Sequence, residues 1–265
     1  LPRCLQTLVI HCHNWKPEIT VEDLLTLPQL TRLLAPFEPM EKKHFRALPR
    51  SLLYLAITKH VPSVNSDPKL PPSLLEWSQG ALPPIITPDF AMKLPSTLTR
   101  IGIAILNTAV PLMPSLTSAM IRRKDGTNYE LPGRYLKDLR HLSMVLPDDF
   151  VATVQDFWPS KLVSLQLFTA NTNVALIQSL PPTLENLELK TKTNVPQYFP
   201  SLLRYLPPQL KSFKTGWPVT LDWEDASVLP STLETLAVGR MTLDKPTRLR
   251  MLPSGLRDLS FECET

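Results

Sequence analysis

One pattern, Leu-Pro-x-x-Leu-x-x-Leu-x-apolar, returns along the whole chain and constrains it more than any other feature. It reads LPRCLQTLVI from Leu1, LPRSLLYLAI from Leu48, LPPSLLEWSQ from Leu70 and LPSTLTRIGI from Leu94. It continues as WPSKLVSLQL from Trp158, LPPTLENLEL from Leu180, LPPQLKSFKT from Leu206, LPSTLETLAV from Leu229 and LPSGLRDLSF from Leu252. Looser copies, each off by one residue, are LPQLTRLLA from Leu27, MPSLTSAMI from Met113 and LPGRYLKDLRHL from Leu131. Taking Leu5, Leu30, Leu52, Leu74, Leu98, Leu116, Leu136, Leu162, Leu184, Leu210, Leu233 and Leu256 as anchors, the mean step is about 23 residues, which means a repeat architecture.

Each unit has a physical reading. In LENLEL, Leu187 and Leu189 alternate with Asn186, Glu188 and Lys190, so one face of a short strand is apolar and the other variable. Between strands lie VEDLLTL, EKKHFRAL, PDFAMKL, FVATVQDFW, NVALIQSL, FPSLLRYL and PTRLRML, whose apolar residues recur three or four apart, the spacing of one- to three-turn amphipathic helices. Proline fixes φ, lacks an N–H and disfavours helix at the residue before it, so each Leu-Pro ends a helix and sends the chain extended.

That role accounts for an odd composition, 29 prolines against 7 glycines in 265 residues. High proline usually goes with disorder, which needs few apolar residues and a large net charge; here 43% of residues are hydrophobic and the net charge is +4. No stretch approaches the roughly 20 apolar residues of a membrane span. No charged-then-apolar leader opens the sequence at Leu1. Cys4 and Cys12 lie in one extended segment, about 26 Å apart at strand rise and beyond disulfide reach. An odd number of cysteines and no Asn-x-Ser/Thr acceptor point to a reducing, intracellular and cytoplasmic setting.

The Leu-x-x-Leu-x-Leu strands resemble those of leucine-rich repeat proteins over essentially the whole chain, and the Leu-Pro-x-Ser/Thr-Leu opening resembles FNIP-type repeats. The resemblance implies an α/β leucine-rich repeat solenoid of about 12 repeats, a curved parallel sheet on the concave side with short helices on the convex side. It implies a single solenoid over residues 1–265, a segment of a longer protein that lacks both caps. Two features depart from the pattern. The position of the usual Asn or Cys ladder holds His13, His60, Leu82, Leu106, Ala170, Lys192 and Met241, and no Phe-Asn-x-Pro-Ile stretch occurs.

Little points to catalysis. There is no Gly-rich phosphate loop, Cys-x-x-Cys pair, His-Glu-x-x-His or Gly-x-Ser-x-Gly turn, so no enzyme, cofactor or small-molecule substrate is expected. His11 and His13 share a strand face while Cys12 points away, which leaves at most two metal ligands and no expected metal site. Arg122, Arg123 and Lys124 form a basic run, and Lys190, Lys192, Lys211 and Lys214 lie near one another, but 24 acids offset 28 bases and Asp222, Glu224 and Asp225 add an acidic segment. A nucleic-acid partner is the weaker expectation. Trp15, Trp158, Trp217 and Trp223 read as convex-side core filling before interface anchors.

Residues flanking the paired leucines point into the concave face, and large polar and aromatic ones concentrate between Met120 and Lys214. The expected partner-binding set is Tyr54, Arg100, Arg122, Arg140, Gln166, Phe168, Asn186, Glu188, Lys190 and Lys214, with Phe168 as an aromatic anchor ringed by charge. Leu142 is placed on the same face. The expected function is non-catalytic protein–protein recognition or scaffolding through that face. Two alternatives are a structural subunit of a ribonucleoprotein or other large assembly using basic surface, and the targeting region of an enzyme lying outside this segment. The steps between Leu106 and Pro147 are irregular, and a one-residue slip there would reverse every face.

Overall fold

A computed structural model describes residues 2–10, 20–35, 42–57, 70–79, 85–86, 93–106, 115–121, 136–146, 158–169, 174–191, 203–221, 228–243 and 252–262. The chain divides into two compact units, Leu1–Leu139 and Arg140–Thr265. The first carries strands β1 (Thr7–Val9), β2 (Arg32–Ala35), β3 (Tyr54–Ile57), β4 (Glu76–Gln79), β5 (Ile85–Ile86), β6 (Arg100–Leu106) and β7 (Ser118–Ile121), with helices α1 (Val21–Leu25) and α2 (Lys42–Ala47). Its strands are parallel in the order β1-β2-β3-β4-β6-β7, with β5 beside β6. The second carries β8 (His141–Val145), β9 (Ser164–Thr169), α3 (Val174–Gln178), β10 (Asn186–Thr191), β11 (Ser212–Leu221), β12 (Thr235–Leu243) and β13 (Asp258–Glu262), parallel in chain order. Each unit is a parallel β-solenoid, one strand per turn of about 23 residues.

The repeat motif is a turn followed by a strand. The anchor leucine's N–H donates to the carbonyl three residues back, as from Leu52 to Pro49, Leu98 to Pro95, Leu184 to Pro181 and Leu233 to Pro230 (3.0–3.1 Å). In LPQL the same bond runs from Leu30 to Leu27 at 3.2 Å, so Pro28 occupies the second turn position, where its φ also fits, and the off-by-one spacing disappears. In LPGRYLKDLRHL the bond runs from Leu139 to Leu136 at 3.0 Å. The anchor there is Leu139, three residues beyond the expected Leu136.

After the anchor, one carbonyl per repeat accepts two N–H groups from the next repeat. Thr31 takes Leu53 (2.8 Å) and Tyr54 (3.0 Å), and Glu185 takes Lys211 (2.7 Å) and Ser212 (2.9 Å). A second ladder is built from the Ser/Thr of the Leu-Pro-x-Ser/Thr-Leu opening. The Ser51 hydroxyl lies 2.8 Å from the Pro28 carbonyl and 2.9 Å from that of Leu30. Ser73, Thr97, Ser115, Thr183 and Thr232 repeat the arrangement on the turn before each. One hydroxyl proton shared by two carbonyls ties each turn to the turn before it, at bonds that are part-buried or exposed.

The core is the stack of anchor and strand leucines. Leu30, Leu52, Leu74, Leu184, Leu210 and Leu233 are wholly buried, as are Leu187 and Leu189 on β10. Helices α1, α2 and α3 are short and stop ahead of Leu27-Pro28, Leu48-Pro49 and Leu180-Pro181, as proline requires. Of four other expected helices, PDFAMKL, FVATVQDFW and PTRLRML fall largely outside the described residues, and FPSLLRYL is described only from Leu203, where it ends in a turn. Thr20 caps α1: its hydroxyl accepts from the Asp23 N–H at 3.1 Å, and the Asp23 carboxylate accepts from the Thr20 N–H at 3.0 Å. The Thr20 backbone and hydroxyl bonds to the Asp23 carboxylate hold its pKa below the usual value. Trp158 is buried at the leucine position of its repeat and donates from Nε1 to the Ser179 hydroxyl at 3.0 Å, as the core reading of the tryptophans expects.

Candidate interaction surface

Period-two alternation buries every second strand residue and leaves the others on an open face. On β9, Leu165, Leu167 and Thr169 are buried, while Ser164, Gln166 and Phe168 face out. Pairing with β10 sets Gln166 beside Glu188 and Phe168 beside Lys190, and pairing with β11 sets Glu188 beside Lys214.

On the second unit these residues bind one another across strands. The Ser143 hydroxyl donates to Gln166 Oε1 at 2.8 Å, and Gln166 Nε2 donates to Glu188 Oε2 at 2.5 Å. Lys190 Nζ lies 3.2 Å from Glu188 Oε1 and 5.3 Å from the centroid of the Phe168 ring. Both Glu188 oxygens are thus engaged, and Lys190 is held by a carboxylate on one side and a ring on the other. Asn186 is exposed one position earlier on β10. The Lys214 side chain is exposed and makes no hydrogen bond or ion pair among the described residues.

The first unit arranges charge differently. Its leading open-face column runs Arg32, Tyr54, Glu76, Arg100 on neighbouring strands. The Arg32 guanidinium lies 5.8 Å from the Tyr54 ring centroid, and Arg100 lies 3.5 Å from Glu76. The next column holds the smaller side chains of Leu34, Ala56, Ser78 and Gly102.

The structure therefore places Tyr54, Arg100, Gln166, Phe168, Asn186, Glu188, Lys190 and Lys214 on open strand faces. Arg140 is a correction. With Leu139 as anchor, β8 runs in register His141 with Ser164 and Ser143 with Gln166, so Ser143 takes the position assigned to Arg140. Arg140 precedes the strand, and its carbonyl accepts from Val163 and Ser164 at 2.9 Å. The same shift puts Leu142 in the core, 3% exposed. Arg122 lies outside the described residues, as do His11, Cys12, His13, Trp15 and Trp223. Arg32 and Ser143 were missed from sequence. Finding them required the turn hydrogen bonds that reset LPQL and LPGRYLKDLRHL. Among the described residues no group of three or more His, Cys, Asp or Glu could hold a metal ion, and no helix is long and apolar enough to cross a membrane.

No protein-family model and no curated protein matches the sequence. Solved structures do. An internalin, InlF, from Listeria monocytogenes is similar with 14% identity over 93% of this chain and 77% of its own, at a TM-score of 0.55. The leucine-rich repeat-containing protein LegL7 from Legionella pneumophila is similar with 16% identity over 97% of this chain and 90% of its own, at a TM-score of 0.51. CroV588, described as a circular leucine-rich repeat protein, has 22% identity over 89% of this chain at a TM-score of 0.48, and the chain spans 40% of its length. With the turn, strand and core just described, the likenesses to InlF and LegL7 establish that the chain has the leucine-rich repeat fold.

Proposed function

We propose that this chain is a non-catalytic recognition module that binds another protein through the open strand face, chiefly through Gln166, Phe168, Glu188 and Lys190 of the second unit. The carrying observation is the cross-strand chain from Ser143 through Gln166 to Glu188 and back through Lys190 to Phe168. Such side chains are already held in one arrangement, so less ordering is lost on binding. An aromatic ring within a polar surround is also the usual composition of an interface hot spot. The general use of leucine-rich repeats in protein interaction supports the same reading, and the Leu-Pro-x-Ser/Thr-Leu opening favours a FNIP-like subtype. The test is a double variant, Gln166→Ala with Phe168→Ala, compared with the parent for captured partners. Loss of a partner at an unchanged thermal midpoint is expected; the same partners at the same strength would refute the proposal.

A further inference from the structure

The two units differ in charge. Residues 1–139 carry sixteen Lys and Arg against eleven Asp and Glu, a net +5, whereas residues 140–265 carry twelve against thirteen, a net −1. The positive excess of the chain therefore lies in the first unit, and four of its cations, Lys42, Lys43, Arg46 and Arg50, fall within nine residues. They lie on α2 and on the turn that follows it, away from the open strand face.

Equivalent positions on α1 and α2 show what surrounds them. The Leu27 N–H donates to the Leu24 carbonyl at 3.2 Å, and the Leu48 N–H to that of Phe45 at 3.4 Å. Leu24 and Phe45, both buried, thus hold the same place on two helices that lie against each other. One residue further on, Leu25 and Arg46 are equivalent, and both are exposed. Leu25 is 66% exposed, more than any other large apolar residue among those described. Glu22 holds the place of Lys43, and the Asp23 carboxylate is engaged by Thr20. The exposed side chains of Arg46 and Arg50 make no hydrogen bond or ion pair among the described residues. Arg3, exposed and likewise unpaired among them, stands two residues before its anchor Leu5, as Arg50 does before Leu52. Two repeats separate these arginines, about 10 Å at strand spacing.

Cations grouped around a protruding aliphatic side chain suit an anionic bilayer, whose phosphates meet the charges while its acyl boundary takes the leucine. We propose that this face of the first unit, with Arg3, Leu25, Arg46 and Arg50, docks on an anionic lipid surface. A nucleic acid would offer phosphates and nothing for Leu25, and the one aromatic ring among the described residues of α1 and α2, Phe45, is buried and closed to a base. An acidic protein segment would answer the arginines, but Leu25 stands out from the surface and lines no groove for it. The open strand face stays free for another partner, so this inference does not depend on the recognition reading.

The test is flotation of the full chain with vesicles of phosphatidylcholine and phosphatidylserine in equal parts, beside vesicles of phosphatidylcholine alone. The parent should float with the first and not the second, and added salt should release it. Arg46→Gln with Arg50→Gln should lower partition about thirtyfold, and Leu25→Ser about tenfold, each with no change in thermal midpoint. Lys214→Gln in the second unit should leave partition as in the parent. Equal partition on the two kinds of vesicle, or equal partition of the parent and the double arginine variant, would overturn the proposal. So would a Leu25→Ser variant that floats like the parent, since charge alone would then carry the contact. Retention of poly(U) RNA or polyglutamate by a parent that ignores the anionic vesicles would overturn it in favour of a polymeric partner.

Discussion

In Leu1–Leu139 the residue leading into a strand is often threonine. Thr31, Thr99 and Thr117 each donate a hydroxyl to the carbonyl of the same row one repeat back, those of Gln6, Leu75 and Thr99, at 3.0–3.3 Å. In Arg140–Thr265 that row alternates Glu185, Lys211, Glu234 and Arg257, with Lys211 3.0 Å from Glu185 and Arg257 3.9 Å from Glu234. The backbone is unchanged, since in both units one carbonyl already serves two N–H groups. The side chain is free to be a hydroxyl or a charge because it is not needed to complete the ladder. The open faces differ in the same way. Charge sits in the leading column of the first unit, through Arg32, Glu76 and Arg100, and in the middle of the strands of the second, through Glu188, Lys190 and Lys214. A leucine-rich repeat unit thus sets its turn and core strictly and leaves two rows and a face open to change.

Four measurements press on that comparison, taken from the largest effect down. Leu52→Ala in the first unit and Leu184→Ala in the second each empty a wholly buried site and should each cost about 2–5 kcal/mol in denaturant unfolding. A clear inequality would show that the two cores are not equivalent. Thr97→Val and Thr232→Val keep the shape but remove a hydroxyl from two carbonyls that solvent partly reaches, at about 0.5–1.5 kcal/mol each. Thr97 has hydroxyl rungs on both sides at Ser73 and Ser115, whereas Thr232 follows Gln209. Equal losses are expected if each rung acts alone, and a greater loss at Thr97 would reveal cooperation along the ladder.

Thr20→Ala should destabilise by about 1 kcal/mol through loss of the α1 cap. It should also flatten an acid response. Because Asp23 is held below its ordinary value in the folded chain, its stabilisation is present above the unfolded carboxylate value of about 3.9 and disappears as pH falls through the folded one. Hydrogen exchange at α1 against pH, parent beside variant, reads this directly. Smallest is Lys211→Ala, where the pair with Glu185 is solvated and worth under about 1 kcal/mol. The loss should vanish near 1 M salt, where charges are screened within about 3 Å, and the threonine rows of the first unit should show no such salt dependence.

Most of the fold was legible in the sequence because it is written twelve times. The parallel strands, their parity, the buried leucines and the helix stops follow from local rules, and eight of the ten expected surface residues face out where alternation puts them. Arg140 did not, because Leu136 and Leu139 are both leucines at a spacing that fits the pattern. Only the turn bond between them shows which leads the strand. Arg32 was obscured by a proline moved one place along the turn.

What the sequence determined by itself is the period, the alternation and the apolar face, since these depend on residues within a few positions of one another. What the tertiary structure decided depends on neighbours one repeat away. The Ser and Thr hydroxyls find carbonyls about 17–25 residues back, a reach set by the repeat length. Gln166 finds Glu188, and Gly239 is compelled to be glycine by the Gly216 carbonyl, which lies where the register of β11 shifts between Thr215 and Pro218. Stacking brings those pairs together, and no local propensity encodes which atoms will meet.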